Sequence, residues 1–207
     1  MNTALKTLIT ALMLTSAGTA MAASSVDLSV RGLITPSACE PTLSSGGVYD
    51  IGKISAKDLN VDDLTAVGDH VMQMTVTCDA ATLMAIEPKD NRPGTSSDDV
   101  PPRFGLGLIN GTEKLGFLEI WLSSLLADGV PGRAIASADG GLTWTSERRL
   151  RNDSIASVAD TTTLTPVPVK LLTADLNLSA AIAPANSLTL TNEVAIDGSV
   201  TLTVKYL

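Results

Sequence analysis

Ser199-Val-Thr-Leu-Thr-Val-Lys-Tyr-Leu207 decides how the rest of the chain is read. Val200, Leu202, Val204 and Tyr206 fall on one face of an extended strand, and Ser199, Thr201, Thr203 and Lys205 fall on the other. This strict period of two predicts a half-buried β-strand. The pattern runs to the last residue without a polar tail, so the strand end must be held by something, since termini fray when nothing ties them down. Asp197-Gly198 just ahead is a hairpin-type turn pair, and Leu188, Leu190 and Ile196 supply the expected partner strand upstream.

The N-terminal side reads in the same way. Val26, Leu28 and Val30 alternate with Asp27, Ser29 and Arg31, and Leu33 and Ile34 continue the apolar run until Pro36 breaks it. Ahead of this strand, Met1 to Ala22 reads as a secretory signal peptide, with Lys6, an apolar run from Leu8 to Leu14, and Ala20-Met-Ala22 as a small-x-small cleavage site. A membrane helix is the rival reading, but a span needs about 20 apolar residues and this run is shorter. No later stretch is long and apolar enough to cross a bilayer, so the chain is expected to be exported, soluble and built as one domain.

Loss of the signal segment leaves 13 basic against 22 acidic residues, a net charge near −9 that argues against nucleic acid as a partner. Cys39 and Cys78 both remain, and an even count in an exported chain predicts one disulfide; two buried free thiols are the alternative. Closing a loop of about 40 residues stabilises the fold by roughly 4 kcal/mol in the chain-entropy picture.

Between the ends lie many short strands separated by turn clusters. Thr42 to Gly47 is a Ser/Gly loop, Tyr49 to Ile54 a short strand, and Val71 to Val76 a strand leading into Cys78. Asp58, Asp62, Asp63 and Asp69 form a solvated connection or, alternatively, a divalent-cation site, though their spacing matches no loop motif. Lys89 to Arg103, rich in Pro, Gly, Ser and Asp, reads as a long loop. Phe104 to Leu108 and Lys114 to Leu122 are strands around an Asn110-Gly111 turn, with Leu118 to Ala127 ambiguous between helix and strand. Ala134 to Ala138 and Leu142 to Thr145 flank another turn. Leu164 to Leu172 is a strand whose Pro166 and Pro168 suggest an edge position. Without strong helical periodicity, the pattern predicts an all-β sandwich or barrel.

Catalytic chemistry lacks its parts. His70 is the only histidine, so a Ser-His-Asp or Cys-His site would have to be built on it, and a zinc site has no usual ligand set. No enzyme activity and no cofactor are expected. Ser137-Ala-Asp139-Gly-Gly141-Leu-Thr143-Trp144 fits the Asp-box pattern seen in sialidases and related propellers. A single copy without a repeat makes a propeller improbable. The mechanical reading has Asp139 capping a turn, Gly140 and Gly141 at positive φ, and Trp144 packed beneath. Arg148, Arg149 and Arg151 form the one basic cluster, a solvated loop or a contact for an acidic sugar or partner.

The whole arrangement resembles a chaperone–usher fimbrial subunit, or pilin. The features that carry the resemblance are an alternating N-terminal strand, Gly32 seven residues before Cys39, a second cysteine ending a strand in Val76-Thr-Cys-Asp79, and a C-terminal strand with penultimate Tyr206. In detail it looks most like the uncharacterised beta-type fimbrial subunits. The resemblance implies an immunoglobulin-like sandwich lacking its final strand, spanning residues 32–207, behind a donor extension at 23–31. It also implies an apolar groove along Val200, Leu202, Val204 and Tyr206. A periplasmic chaperone, anchored at Tyr206 and the Leu207 carboxylate, would fill that groove first. At an outer-membrane usher, Val26, Leu28 and Val30 of a neighbouring subunit would then replace it, giving a polymer on the cell surface that supports adhesion. The alternative is a carbohydrate-binding adhesin or tip module, with Trp144 and Arg149 as ligand contacts, although a chain with six aromatic residues is poorly furnished for stacking sugars.

Overall fold

The computed structural model describes residues 28–30, 32 and 38–207. The expected signal peptide and Val26 lie outside the described residues. Met1–Ile34 and Thr35–Leu207 are separate compact units. In the first, Leu28 and Val30 are each 90% exposed.

The second unit is an immunoglobulin-like sandwich of two antiparallel sheets, without an α-helix among the described residues. In chain order the strands are β1 (Cys39–Leu43), β2 (Thr65–Thr82), β3 (Met84–Asp90), β4 (Arg103–Gly105), β5 (Leu108–Ile109), β6 (Glu113–Lys114) and β7 (Gly116–Ala127). They continue with β8 (Val130–Pro131), β9 (Arg133–Ser137), β10 (Thr145–Ser146), β11 (Ile155–Ala159), β12 (Val169–Ile182) and β13 (Val200–Tyr206). One sheet runs β1-β2-β12-β7-β4 with β8 added beside β7, the other runs β10-β9-β11-β3-β13, and β5 and β6 make a small hairpin.

Side-chain alternation explains why the sheets stack. On β12, Ala174, Leu176, Leu178 and Ala180 are buried, while Thr173, Asp175, Asn177 and Ser179 between them face outward. Met72, Met74, Val76 and Cys78 of β2 and Ile120 and Leu122 of β7 bury the same inner face. From the opposite sheet they meet Met84, Ile86, Ala134, Ala156 and Val158. A side chain such as Met74, 1% exposed, contributes enough that its truncation to alanine costs about 2–5 kcal/mol.

Several expectations are corrected. β13 is not half of a hairpin with 188–196. It pairs with β3, with Val200 opposite Asp90 and Tyr206 opposite Met84, while Leu188, Leu190 and Ile196 pack as extended coil on a second apolar cluster. Asp197-Gly198 is pinned instead of turning: Asp197 N–H donates to the Leu106 carbonyl at 3.1 Å, and its carboxylate accepts from Arg92 Nη2 at 2.7 Å. A Cβ on Gly198 would meet Leu106 Cδ2 at 2.7 Å, so the glycine serves close approach. Tyr49 to Ile54 is coil and not a strand, with Gly52 at φ 73°. β2 begins at Thr65, which puts Asp69 on a strand; the four aspartates do not converge, and no metal-sized acidic cluster exists among the described residues. Leu118 to Ala127 is strand. Pro166 and Pro168 precede β12, which occupies the middle of its sheet between β2 and β7 and not an edge.

Candidate functional site

The C-terminal strand has a partner on one side only. Asn91 N–H donates to the Ser199 carbonyl at 2.9 Å and Leu207 N–H to the Leu83 carbonyl at 3.1 Å. These two bonds bracket the β13–β3 pairing and put the hydrogen-bonded pairs on the odd-numbered residues of β13. In an antiparallel ladder the intervening residues turn their backbone groups the other way. The N–H and C=O of Val200, Leu202, Val204 and Tyr206 therefore face the free edge, where no strand pairs among the described residues. Pro88 is tolerated inside β3 for the same reason, since it lies opposite Leu202 in a pair that exchanges no bond.

The same four residues turn their side chains toward the core. Val200, Leu202 and Val204 are half-buried, and the three threonine and lysine residues between them are exposed. Beside them the two sheets do not close. A cleft of about 240 Å³ opens between β13 and the β1 side of the larger sheet, lined by Leu43, Tyr49, Met72, Leu176, Val200 and Leu202 among others. An apolar trough thus lies beside the unpaired backbone groups of Val200 and Leu202, while Val204 and Tyr206 continue the free edge beyond its lining.

The two ends of the trough differ. At one end the Cys39 N–H donates to Tyr206 Oη at 3.0 Å, so the tyrosine spans from β13 to β1. There β1 is tied to β2 by the Cys39–Cys78 disulfide, whose Cα atoms are 4.0 Å apart in directly opposed positions. The second residue of the predicted anchor, Leu207, is 44% exposed. At the other end Tyr49 stacks on His70 with ring centroids 5.0 Å apart and donates its hydroxyl to the Gly68 carbonyl at 3.0 Å. Burial, with Asp69 nearby, raises the Tyr49 pKa, so the phenol stays protonated and keeps that bond. Beyond it the unpaired segments 49–54 and 193–196 flank a wider gap of about 790 Å³. His70 is thus a structural ring partner within a strand.

The Asp-box turn is built as its sequence predicts. Asp139 accepts from Ser137 Oγ at 2.6 Å, from the Leu142 and Thr143 N–H groups at 3.0 and 2.9 Å, and from Thr143 Oγ1 at 2.6 Å. Those bonds, led by Ser137 and Thr143, hold its carboxyl well below the usual range. Gly140 and Gly141 have φ of 75° and 100°, and Trp144 Nε1 donates to the Gly141 carbonyl at 3.1 Å. A Cβ placed on Gly141 would lie 3.5 Å from Leu207 Cδ2, so this rigid turn abuts the last residue of the chain. No sequence signal announces that adjacency.

Trp144 is held within the turn against Gly141. Arg149 leaves the turn and bridges to Trp121 on β7, with Leu122 N–H donating to the Arg148 carbonyl at 2.8 Å. Trp121 was not singled out by sequence. The alternation of Phe117, Glu119, Trp121 and Ser123 against Leu118, Ile120 and Leu122 is the signal that places it on the outer face.

Residues 28–116 match a family described as Protein of unknown function (DUF1120), a span that includes both cysteines and stops short of β13. Protein GltF of Escherichia coli (strain K12) is 28% identical, covering 93% of this chain and 93% of its own. Uncharacterized protein YhcF of the same organism is 25% identical, over 91% of this chain and 93% of its own. Both alignments are long enough to run through most of the sandwich.

Proposed function

We propose that this protein is a structural subunit of a surface fibre whose sandwich is completed by a β-strand from another chain. A periplasmic chaperone supplies the strand first, and the 23–31 segment of a neighbouring copy supplies it afterwards, with an outer-membrane usher mediating the exchange. One observation carries the reading: the open edge of β13 lies beside an apolar trough, so backbone pairing and side-chain burial are both on offer to an added strand. Addition of a strand to a free sheet edge is a general recognition mode, of which chaperone–pilin pairs are a known instance. Leu28 and Val30, both exposed, have the spacing to enter alternate positions of such a trough. An unfilled trough of this kind promotes aggregation, which a chaperone would suppress.

The test is to produce the exported chain with and without a periplasmic chaperone of the fimbrial type, and to titrate the purified protein with a peptide spanning Ala23 to Arg31. Chaperone-dependent solubility and saturable peptide binding are expected. Equal yields of monodisperse protein in both cases, indifferent to the peptide, would overturn the proposal.

A further inference from the structure

The outer face of the larger sheet, away from the trough, carries a second arrangement that strand addition does not use. Asn177 lies directly opposite Trp121 on one side and Val71 on the other, and Arg149 bridges Trp121 from its far side. Directly opposed residues of antiparallel strands share a face, so these four make one row across the sheet. The next row on one side holds Asp175 opposite Ser123, and the next on the other holds Ser179 opposite Asp69. Of these, Asp69, Val71, Trp121, Ser123, Asn177 and Ser179 line a shallow depression of about 550 Å³, as does Arg148.

Its chemistry is fixed by its neighbours. The Asn177 amide donates to the Trp121 carbonyl at 3.3 Å and to Ser123 Oγ at 2.6 Å, which leaves its carbonyl oxygen as the acceptor presented to a ligand. Glu119, in the same row as Ser179, is taken by Arg103 at 2.9 Å and is not a free acid. Trp121 is half-buried, and Val71 is 58% exposed. Two apolar side chains among serine, asparagine and aspartate are too few for the dry centre of a protein–protein contact. In the lining Asp69 is matched by Arg148, so the depression carries no net charge to favour an anionic or a cationic partner. A neutral pyranose matches what remains, because it has one apolar C–H face for an indole ring and a rim of hydroxyls for fixed amide, hydroxyl and carboxylate groups.

We infer that the outer sheet face at Trp121 binds a neutral oligosaccharide, with one ring stacked on Trp121 and its hydroxyls held by Asn177, Ser123 and Asp69. The site is distinct from the Trp144 turn, and it does not depend on how the trough is filled.

The test uses the full exported chain. Maltotriose, cellotriose, chitotriose and N-acetyllactosamine, with sialyllactose as the anionic comparison, are titrated by calorimetry and by tryptophan fluorescence against the parent, Trp121→Ala, Trp121→Phe, Asn177→Ala and Trp144→Ala. At least one sugar should bind saturably, with affinity falling at least tenfold in Trp121→Ala and severalfold in Asn177→Ala. Trp144→Ala should bind as the parent does, and Trp121→Phe should keep most of the binding and the circular dichroism of the parent, which separates loss of the platform from loss of the fold. Failure of all four sugars to saturate, binding that survives Trp121→Ala, or binding confined to sialylated glycans would each overturn the inference. So would a Trp121-dependent dimer in sedimentation, since a second copy would then be what the face accepts.

Discussion

A strand supplied in cis should complete the sandwich, and it allows the trough's energetics to be measured. β13 ends at Tyr206, so a copy of residues 23–31 appended after Leu207 through a hairpin-length linker would lie antiparallel along the free edge. The absolute gain is a small difference between ordering entropy and burial, so the informative quantity is a comparison between appended chains of equal length. Replacing the leucine that copies Leu28 by aspartate removes one apolar anchor, worth about 1.5–3 kcal/mol if it is fully buried, and the ordering cost cancels between the two chains. For a domain of this size each kcal/mol moves the melting temperature by about 2–4 °C, so a separation of roughly 3–12 °C is expected. Replacing the residue that copies Ser29 serves as control, because its side chain faces solvent in the docked register. Thermal unfolding followed by circular dichroism gives all three values. Equal melting temperatures for the Leu28 and Ser29 replacements, or an appended chain no more stable than the parent, would refute the claim that the trough selects alternate apolar residues.

Other perturbations test the frame around the trough. Replacing both Cys39 and Cys78 by serine should lower stability by about 4 kcal/mol in urea unfolding, the loop-closure contribution of a cross-link at a separation of 39 residues. Asp90→Ala should cost about 1–3 kcal/mol by orphaning the buried Gly105 N–H, which Asp90 Oδ2 accepts at 3.0 Å, and Asp90→Asn should recover part of the loss in the same assay. Asp139 has a folded pKa depressed below its ordinary 3.8, so its contribution is present above that value and is lost as the pH falls through the folded pKa. The difference in unfolding midpoint between the parent and Asp139→Ala should therefore be constant near neutrality and shrink below pH 3.8; a difference that grows in acid would contradict the hydrogen-bond assignment. Asp160, lowered to about 2 by Thr162 and Thr163, should behave in the same direction.

Local rules made some of these elements readable and left others hidden. Val200 to Tyr206 reads correctly because one face meets the core and the other meets water, and the Asp-box reads correctly because its bonds close within eight residues. The partner of β13 was not readable. The Leu202–Pro88 pairing spans a long stretch of chain, and its register is set by the shared core and not by any turn. β11 was missed for a different reason: all five of its residues are buried, so it shows no alternation. Ser157 is accommodated there because its hydroxyl donates to the Met84 carbonyl at 2.6 Å. On β12 the alternation from Thr173 to Ala180 was present in the sequence, but two prolines just upstream drew the strand toward an edge it does not occupy. The outer-face row was hidden for the same reason as the β13 partner, since Val71, Asn177, Trp121 and Arg149 come together only through register.

The trough has a stiff side and a compliant one, and different interactions account for each. At Tyr206 the wall is cross-linked: the tyrosine hydroxyl is bonded to Cys39, and the disulfide ties Cys39 to β2. At the Tyr49 end the flanks are two coil segments with no strand partner among the described residues. Their direct link is Lys53 to Glu193 at 3.3 Å, with side chains 91% and 85% exposed. An exposed pair of this kind contributes about 0–1 kcal/mol. Tyr49, Ile51, Val194 and Ile196 pack on the second apolar cluster, so side-chain burial holds these flanks, but without ladder bonds or a covalent link the walls part more easily here than beside the disulfide. A strand entering the trough would therefore meet the smaller barrier beside 49–54 and 193–196. It would then pair along Val200, Leu202 and Val204 toward the cross-linked end, with Tyr206 and Leu207 as the fixed stop.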